Sequence, residues 1–191
     1  MGSEEKMDGD DSKWVEALNH GDSSAFEQLF AKYYSRLSRF AYRYVQSETV
    51  AESLTQEVFV NVWKQRDQLD PGRNIRSFLY QSVRNEALDY IEHKKIVRDK
   101  LSRLKVTRDT VTHPENSSLD KQKFWSLVQE QIENLPPKTR RIYKLSRKDG
   151  LTYNEIADVL DISPKTVEYH ITKALEMLRQ ELENSLSALY L

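Results

Sequence analysis

Apolar side chains recur at steps of three and four along most of the chain, which is the spacing of amphipathic helices. The clearest helix is predicted from Ala25 to Val45, and residues 22–24 supply candidates for its N-terminal cap. Two more are predicted from about Thr49 to Gln65 and from about Asn74 past Ile91. Pro71 and Gly72 separate these two, since both residues disfavour a continuous helix.

The second half of the chain continues the helical pattern. A helix is predicted from Leu119 to Leu135, and Pro136-Pro137 ends it and can begin the next one. Thr152 and Glu155 then form a T-x-x-E capping box, and Ser163 followed by Pro164 starts another helix shortly afterwards.

Two capped helices with so short a connection predict a helix-turn-helix. The turn usually contains glycine, and this chain has Asp161, which tolerates the left-handed conformation. The buried stripe of the second helix is predicted to be Val167, Ile171, Ala174, Leu175, Leu178 and Leu182.

The opposite face of that helix is polar and consists of Lys165, Thr166, Glu168, Tyr169, His170 and Lys173. A DNA major groove admits one helix, and side chains of these types can contact base edges and phosphates. The alternative is a helical hairpin with a solvated polar face. The double capping pattern and a neighbouring basic run favour DNA binding.

These elements predict an all-α protein with two small helical domains joined by a flexible linker, the C-terminal domain being a helix-turn-helix. Residues 1–12 are expected to be an acidic disordered tail, 13–100 the first domain, 101–118 the linker and 119–191 the second domain. The linker is polar and lacks periodicity. With only five glycines and five prolines, long helices are more consistent than a sheet.

Charge is segregated along the chain although the net charge is only −1. Residues 1–11 hold five acidic side chains and one lysine, whereas residues 92–108 hold seven basic and two acidic ones. Residues 138–148 hold six basic side chains and no acidic one. Such runs are either solvated faces or contacts to nucleic acid.

Composition also excludes several classes of protein. Without cysteine the chain has no disulfide and no thiol nucleophile, and its four histidines lack metal-ligand spacing. We therefore expect no catalytic residue, no metal and no cofactor. No apolar run is long enough to span a membrane, so we expect a cytoplasmic protein without membrane insertion.

Two helices of the first domain have polar faces of interest. Residues 50–64 present Ser53, Gln56, Glu57 and Val60, flanked by Phe59 and Trp63, which is suitable for a protein interface. Packing of the two aromatic rings on the preceding helix is the alternative, and periodicity favours it.

The helix that begins near Asn74 leaves Arg76, Tyr80, Arg84 and Asn85, together with Phe78, outside its apolar stripe. Cations interleaved with rings suit single-stranded nucleic acid, because bases stack on rings while cations hold phosphates. Ordinary core aromatics with solvated charges are the alternative.

Three stretches, ESLTQEVFVNVW, SFLYQSVRNEALDYI and ENLPPKTRRIY with GLTYNEIADVLDISPKTVEYHITKALEMLR, together resemble a bacterial sigma factor of the extracytoplasmic-function (ECF) group. The resemblance covers nearly the whole chain. It implies a non-enzymatic subunit that binds core RNA polymerase, directs it to promoter DNA and helps to open the minus-ten element. It also implies an anti-sigma factor as a partner, sigma region 2 in the first domain and sigma region 4 in the second.

The resemblance further implies three sets of contact residues. Core polymerase would be bound by Glu52, Ser53, Gln56, Glu57, Phe59 and Trp63, where Ser53 replaces the usual acidic residue. Minus-ten DNA would be bound by Arg73, Asn74, Arg76, Tyr80, Arg84, Asn85 and Asp89, with the loop from Asp67 to Asn74 catching a base turned out of the duplex. Minus-thirty-five DNA would be bound by Arg140, Arg141, Lys144, Lys165, Thr166, Glu168, Tyr169 and Lys173.

Two other classes of protein fit the sequence less well. A two-component-type regulator would need a receiver domain of alternating strands and helices in residues 1–118, where only helical periods occur. An enzyme would need a glycine-rich phosphate loop or a clustered catalytic motif, and neither is evident.

Overall fold

The computed structural model describes the backbone of residues 4–101 and 119–189, and the side chains of residues 11–95, 126 and 128–181. Every regular element in these ranges is a helix, which confirms the all-α prediction. The α-helices of these ranges are α1 (Glu4–Asn19), α2 (Ser23–Val45), α3 (Glu48–Lys64), α4 (Ile75–Leu101), α5 (Leu119–Asn134), α6 (Pro137–Arg147), α7 (Tyr153–Leu160) and α8 (Pro164–Leu189). Most of the expected linker lies outside the described residues.

The helices group into two compact units, α1 to α4 and α5 to α8. The first unit has no strand in its described part, so a receiver domain with alternating strands and helices does not match it. Within residues 4–101 and 119–189, no helix combines the length and apolar character that crossing a membrane requires.

Helix α2 is the centre of the first unit and packs against α1, α3 and α4. Its start is fixed by Asp22, whose carboxylate accepts a hydrogen bond from the Ser24 backbone N–H at 2.8 Å. A hydrogen bond from the Ser24 side chain, followed by the one from its backbone N–H, lowers the pKa of Asp22 below its ordinary value. The buried positions of α2 follow the predicted three- and four-residue steps and are Ala25, Leu29, Tyr33, Leu37, Phe40 and Ala41.

The expected disorder of residues 1–12 is wrong from Glu4 onward, because α1 begins there. The Asp11 side chain is buried, and its carboxylate accepts hydrogen bonds from Lys32 at 2.5 Å and from the Tyr33 hydroxyl. Val15 and Leu18 are buried on the same helix. A count of acidic residues could not reveal that one of them has buried partners on α2.

The second unit contains the predicted helix-turn-helix. The Thr152 hydroxyl accepts from the Glu155 N–H at 3.3 Å, and the Glu155 carboxylate accepts from the Thr152 N–H at 2.7 Å, which confirms the capping box. Asp161 ends α7 in the left-handed conformation with φ 55°. Ser163 caps α8 by accepting from the Thr166 N–H at 3.1 Å.

The core of the second unit forms where α8 packs against α5, α6 and α7. Buried side chains on the three shorter helices include Ile132, Ile142, Leu145, Ile156 and Val159. Val167, Ile171, Ala174 and Leu178 of the predicted stripe on α8 are buried as expected. Leu175 is not, with 44% of its surface exposed, and the side chain of Leu182 lies outside the described residues.

Candidate functional site

The exposed face of α3 combines acidic, amide and apolar side chains. We call Glu52, Ser53, Gln56, Glu57 and Val60 the α3 surface; all five are exposed, Val60 by 48%. Ser53 turns its hydroxyl back to the Thr49 carbonyl at 2.9 Å, and the Gln56 amide donates to the Tyr34 hydroxyl at 3.3 Å. The surface thus carries negative charge beside an exposed valine, a mixture suited to binding another protein.

The two aromatic side chains predicted beside this surface do not belong to it equally. Phe59 is buried, and its ring centroid lies 4.9 Å from that of Phe30 and 6.0 Å from that of Phe26. Trp63 is half-buried, with its ring 5.3 Å from Phe26 and 4.8 Å from the Arg66 guanidinium. Packing on the preceding helix is therefore the correct alternative, and the expectation of Phe59 as a surface contact is wrong.

The loop before α4 is organised by polar side chains. Asp70 accepts from the Gly72 N–H at 2.8 Å and lies 3.8 Å from the Arg73 guanidinium. Asn74 accepts from the Ser77 N–H at 3.0 Å and so caps α4. Next to the loop is an open cavity of about 340 Å³ lined by Asp11, Ser12, Pro71, Gly72, Arg73, Asn74 and Ile75.

The face of α4 keeps most of its predicted polar positions accessible. Asn85 and Asp89 are exposed, Arg76 and Arg84 are half-buried, and Phe78 is 40% exposed at the start of the helix. The guanidinium of Arg84 donates to the Asn85 side-chain oxygen at 3.4 Å. A cation and a ring near the loop can contact phosphate and base of a single strand.

Tyr80 contradicts the prediction for this face. Its side chain is fully buried, and its ring centroid lies 5.1 Å from that of Phe40 on α2. Tyr80 consequently joins Leu79 and Val83 in the core. A helix that packs against both α2 and α3 buries a wider arc than a single apolar stripe predicts.

Glu86 on α4 is a residue that the sequence analysis missed. Burial raises its pKa, and the nearby negative charges of Glu57 and Asp89 raise it further. Acidic character therefore extends from α3 onto α4. The only signal in the sequence was the three-residue spacing of Glu86 and Asp89, which places both on one side of the helix.

Of the predicted contact residues at the start of α8, three are exposed, namely Lys165, Glu168 and Tyr169, the tyrosine by 59%. Thr166 is half-buried, and its hydroxyl is 2.8 Å from that of Ser163 within the helix cap. Lys173 is half-buried with its ammonium 5.9 Å from the Tyr169 ring. The accessible contact set is thus smaller than the six predicted outward positions.

His170, one of the six residues predicted to face outward, instead points toward α6. Its Nδ1 lies 2.9 Å from the hydroxyl of the buried Thr139 on α6. Burial lowers the pKa of His170, and the positive charges of Lys138 and Lys173 lower it further. The His170 ring connects α8 to α6 through this contact.

Three basic side chains of α6, those of Arg140, Arg141 and Lys144, are engaged or partly buried within the protein. Lys144 contacts the Glu133 carboxylate at 2.6 Å, and Arg140 contacts it at 3.5 Å. Burial alone would raise the pKa of Glu133, but the hydrogen bond from Lys144 and the charges of Lys144, Arg140 and Lys148 outweigh it and lower the pKa. Arg141 is half-buried, and burial lowers its pKa. These cations are less available than their number in the sequence implies.

Both units are similar in sequence to parts of known proteins. The family model "Sigma-70 region 2" matches residues 29–96, and the model "Sigma-70, region 4" matches residues 126–178. RNA polymerase sigma factor CarQ of Myxococcus xanthus is 27% identical over 168 residues, covering 88% of this chain and 95% of that protein. The ECF RNA polymerase sigma-E factor of Haemophilus influenzae is 26% identical over 182 residues, covering 91% and 95%.

A solved structure has a similar fold. The sigma factor RpoE of Bartonella quintana, crystallised with the anti-sigma factor NepR, matches with a TM-score of 0.60 over 83% of this chain and 96% of that chain. The two sequences are 20% identical, so this likeness concerns the fold.

Proposed function

The chain belongs to the extracytoplasmic-function group of the sigma-70 family, and we propose that it contacts polymerase and promoter through three separate surfaces. It is a sigma factor that binds core RNA polymerase, directs it to specific promoters and helps to open the minus-ten DNA. We assign residues 13–100 to region 2, extended by the start of α1, residues 101–118 to the linker and residues 119–191 to region 4.

One observation carries the assignment of surfaces, namely that the α3 surface differs in charge from α6 and the first turn of α8. The α3 surface is acidic and partly apolar, whereas α6 and the start of α8 carry Lys138, Arg140, Lys144 and Lys165. The acidic α3 surface repels DNA phosphates, whereas the basic side chains of α6 and α8 attract them. A protein that must bind polymerase and promoter at the same time needs this separation.

We propose that the α3 surface binds core polymerase. Glu52, Gln56 and Glu57 supply acceptors and charge, and Val60 supplies exposed apolar area beside them. Phe59 and Trp63 support this surface from beneath, because their rings pack on α2. Ser53 adds little, since its hydroxyl is bonded to its own helix.

We propose that the loop before α4 binds the opened minus-ten strand. Arg73 is exposed beside the cavity and is suited to a phosphate, and the cavity is large enough for one unstacked base. The exposed ring of Phe78 offers a stacking surface, which contributes about 1–3 kcal/mol per base in single-strand binding. Arg76, Arg84, Asn85 and Asp89 remain candidates along α4, whereas the buried Tyr80 acts by fixing the helix.

We propose that α8 enters the major groove of the minus-thirty-five element. Lys165, Glu168 and Tyr169 are exposed on its first turns, where a recognition helix contacts base edges and phosphates. Thr166 and Lys173 lie at the margin of this set. Arg140 and Lys144 would reach phosphate by exchanging the Glu133 carboxylate for it.

The first experiment tests polymerase binding. The purified chain is mixed with bacterial core RNA polymerase and passed over a size-exclusion column, beside the variant Gln56→Ala/Glu57→Ala. Its matched control is Glu27→Ala/Gln28→Ala, which removes the same two side-chain types from exposed positions on α2. We expect wild type and control to co-elute with polymerase and the α3 variant to lose binding. Equal binding by all three proteins would contradict the assignment of the α3 surface.

We further infer that the chain has no catalytic activity of its own and acts in the cytoplasm, where bacterial polymerase is found. An anti-sigma factor is the inferred regulatory partner, as the Bartonella quintana relative was crystallised with one. A pull-down with the chain as bait would identify such a partner, and its addition should block co-elution with polymerase.

A further inference from the structure

Helix α1 holds the loop before α4 at two backbone carbonyls. The Ser12 hydroxyl donates to the Pro71 carbonyl at 2.8 Å, and the Asn19 side-chain amide donates to the Leu69 carbonyl at 2.9 Å. Ser12 and Asn19 are two helical turns apart, so both lie on one face of α1. The two carbonyls flank Asp70, whose side chain makes the tight turn of the loop.

The helix that makes these contacts is itself fixed to α2. Its buried Asp11 is bonded to Lys32 and Tyr33, and Val15 and Leu18 are buried beneath it. The loop, in contrast, is held mainly by its own contacts. Asp70 accepts a hydrogen bond from the Gly72 N–H and forms an ion pair with Arg73. A segment of this kind takes its position from the rigid element to which it is bonded.

Asn19 is placed for a single hydrogen bond. Its side-chain nitrogen donates to Leu69, while its side-chain oxygen is enclosed and has no hydrogen-bond partner among the described residues. A buried polar atom without a partner is unfavourable and calls for an explanation. An apolar side chain would avoid it, so the bond to the loop is the feature that this amide provides.

The cavity beside the loop lies between α1 and the segment from Pro71 to Ile75. Asp11 and Ser12 of α1 line one side, and Pro71 to Ile75 line the other. Its volume of about 340 Å³ is at the low end of the range for small-molecule sites, about 300–1,000 Å³. The width of the cavity therefore depends on how firmly α1 holds Leu69 and Pro71.

We propose that Ser12 and Asn19 are positioning residues that fix the shape of this cavity and so determine which base of the opened minus-ten strand it accepts. This rests on the proposed function, in which the loop receives an unstacked base. Discrimination between bases requires a rigid site. A site that adjusts its shape can pair the polar groups of a wrong base, whereas a rigid one leaves polar groups unpaired and so rejects that base. A loop released from α1 would adjust to several bases.

The test measures base selectivity in the holoenzyme. Promoters are first selected from a randomised DNA pool with the wild-type chain bound to core polymerase. The minus-ten bases of a selected promoter are then randomised, and the transcribed templates are sequenced for wild type, Ser12→Ala and Asn19→Asp. The aspartate has the shape of asparagine but puts an oxygen against the Leu69 carbonyl. Ser35→Ala and Gln28→Glu, at exposed positions of α2, match the lost hydroxyl and the added charge.

We expect each α1 variant to lose about three- to tenfold in preference at one minus-ten position, the effect of one net hydrogen bond, with polymerase binding unchanged. The controls should select as wild type does. Unchanged selectivity in Ser12→Ala, whose exposed site tolerates the change, would overturn the proposal even if Asn19→Asp failed to fold. A uniform loss of transcription at unchanged selectivity would also overturn it, since that indicates a purely structural role. If the wild-type holoenzyme selected no promoter, the proposed function itself would fail.

Discussion

Replacing Phe59 by alanine is expected to destabilise the α1–α4 unit by about 3–5 kcal/mol, the usual cost of removing a buried aromatic ring. Phe59 is 2% exposed, and its ring lies 4.9 Å from Phe30 and 6.0 Å from Phe26, edge-on to the latter. Ring pairs of this type contribute about 0.5–1.5 kcal/mol beyond the area they bury. Because small domains have a total stability of about 5–15 kcal/mol, the variant should lose a large share of it.

Urea unfolding followed by tryptophan fluorescence measures this loss. Trp63 lies 5.3 Å from Phe26 in the same ring cluster and so reports on it. The neighbouring Val60→Ala is the matched control, because Val60 is 48% exposed and its truncation should change the free energy of unfolding by at most about 0.5 kcal/mol. Phe59→Leu keeps an apolar side chain in the space that the ring occupies. Its free energy of unfolding should lie between those of wild type and Phe59→Ala.

A polymerase-binding assay distinguishes whether the Phe59 ring packs in the core or contacts polymerase directly. Folded Phe59→Leu should bind core polymerase as the wild type does, because the ring does not reach the surface. Val60→Ala should weaken binding instead. If Phe59→Leu lost binding while its unfolding midpoint stayed at the wild-type value, the ring would contact polymerase directly and its placement in the core would be wrong.

Four further predictions concern the second unit. Thr152→Ala removes the capping box and should destabilise this unit by about 1 kcal/mol, seen as a lower melting temperature, whereas Thr172→Ala at an exposed position of α8 should not. Glu133→Gln should be less stable than wild type at neutral pH. Because the folded-state pKa of Glu133 is lowered, its stabilisation is present above the unfolded-state pKa and is lost as the pH falls through the folded-state pKa. Denaturant unfolding at about pH 2, below the usual range of carboxyl pKa values, should show no difference, and a persisting difference would contradict the ion pair. Glu168→Gln should lose a preference for cytosine at one position of the selected duplex, by about 1–3 kcal/mol, because a carboxylate accepts from the cytosine amino group. Lys165→Ala, in contrast, should weaken binding to all sequences alike and reduce the salt dependence, and a change in base preference would exclude a phosphate contact.

Features that depend on residues close together in the chain could be predicted from the sequence. The caps at Asp22, Thr152 and Ser163 each bond to a backbone N–H two or three residues away, so the residue types reveal them. The left-handed turn at Asp161 is local in the same sense. These signals placed the helix-turn-helix correctly, and with it the start of α8.

Features that depend on partners in other helices could not be predicted. Helix α3 packs against both α2 and α4, so its buried arc includes the adjacent Val58 and Phe59. A single apolar stripe does not describe such a helix, and Tyr80 on α4 was misplaced for the same reason. Asp11 required knowledge of Lys32 and Tyr33, which lie more than twenty residues further along the chain.

The basic run from Lys138 to Lys148 shows how this limit affects the candidate DNA surface. Six cations in eleven residues predict a strong phosphate clamp, yet Glu133 holds Lys144 at 2.6 Å and Arg140 at 3.5 Å. A phosphate that binds them must displace a carboxylate, so it gains only the difference between two ion pairs. Fewer counterions are then released than the charge count implies, and binding by region 4 alone is correspondingly weaker. Promoter choice should accordingly depend on the exposed start of α8 together with the minus-ten contacts of the polymerase-bound first unit.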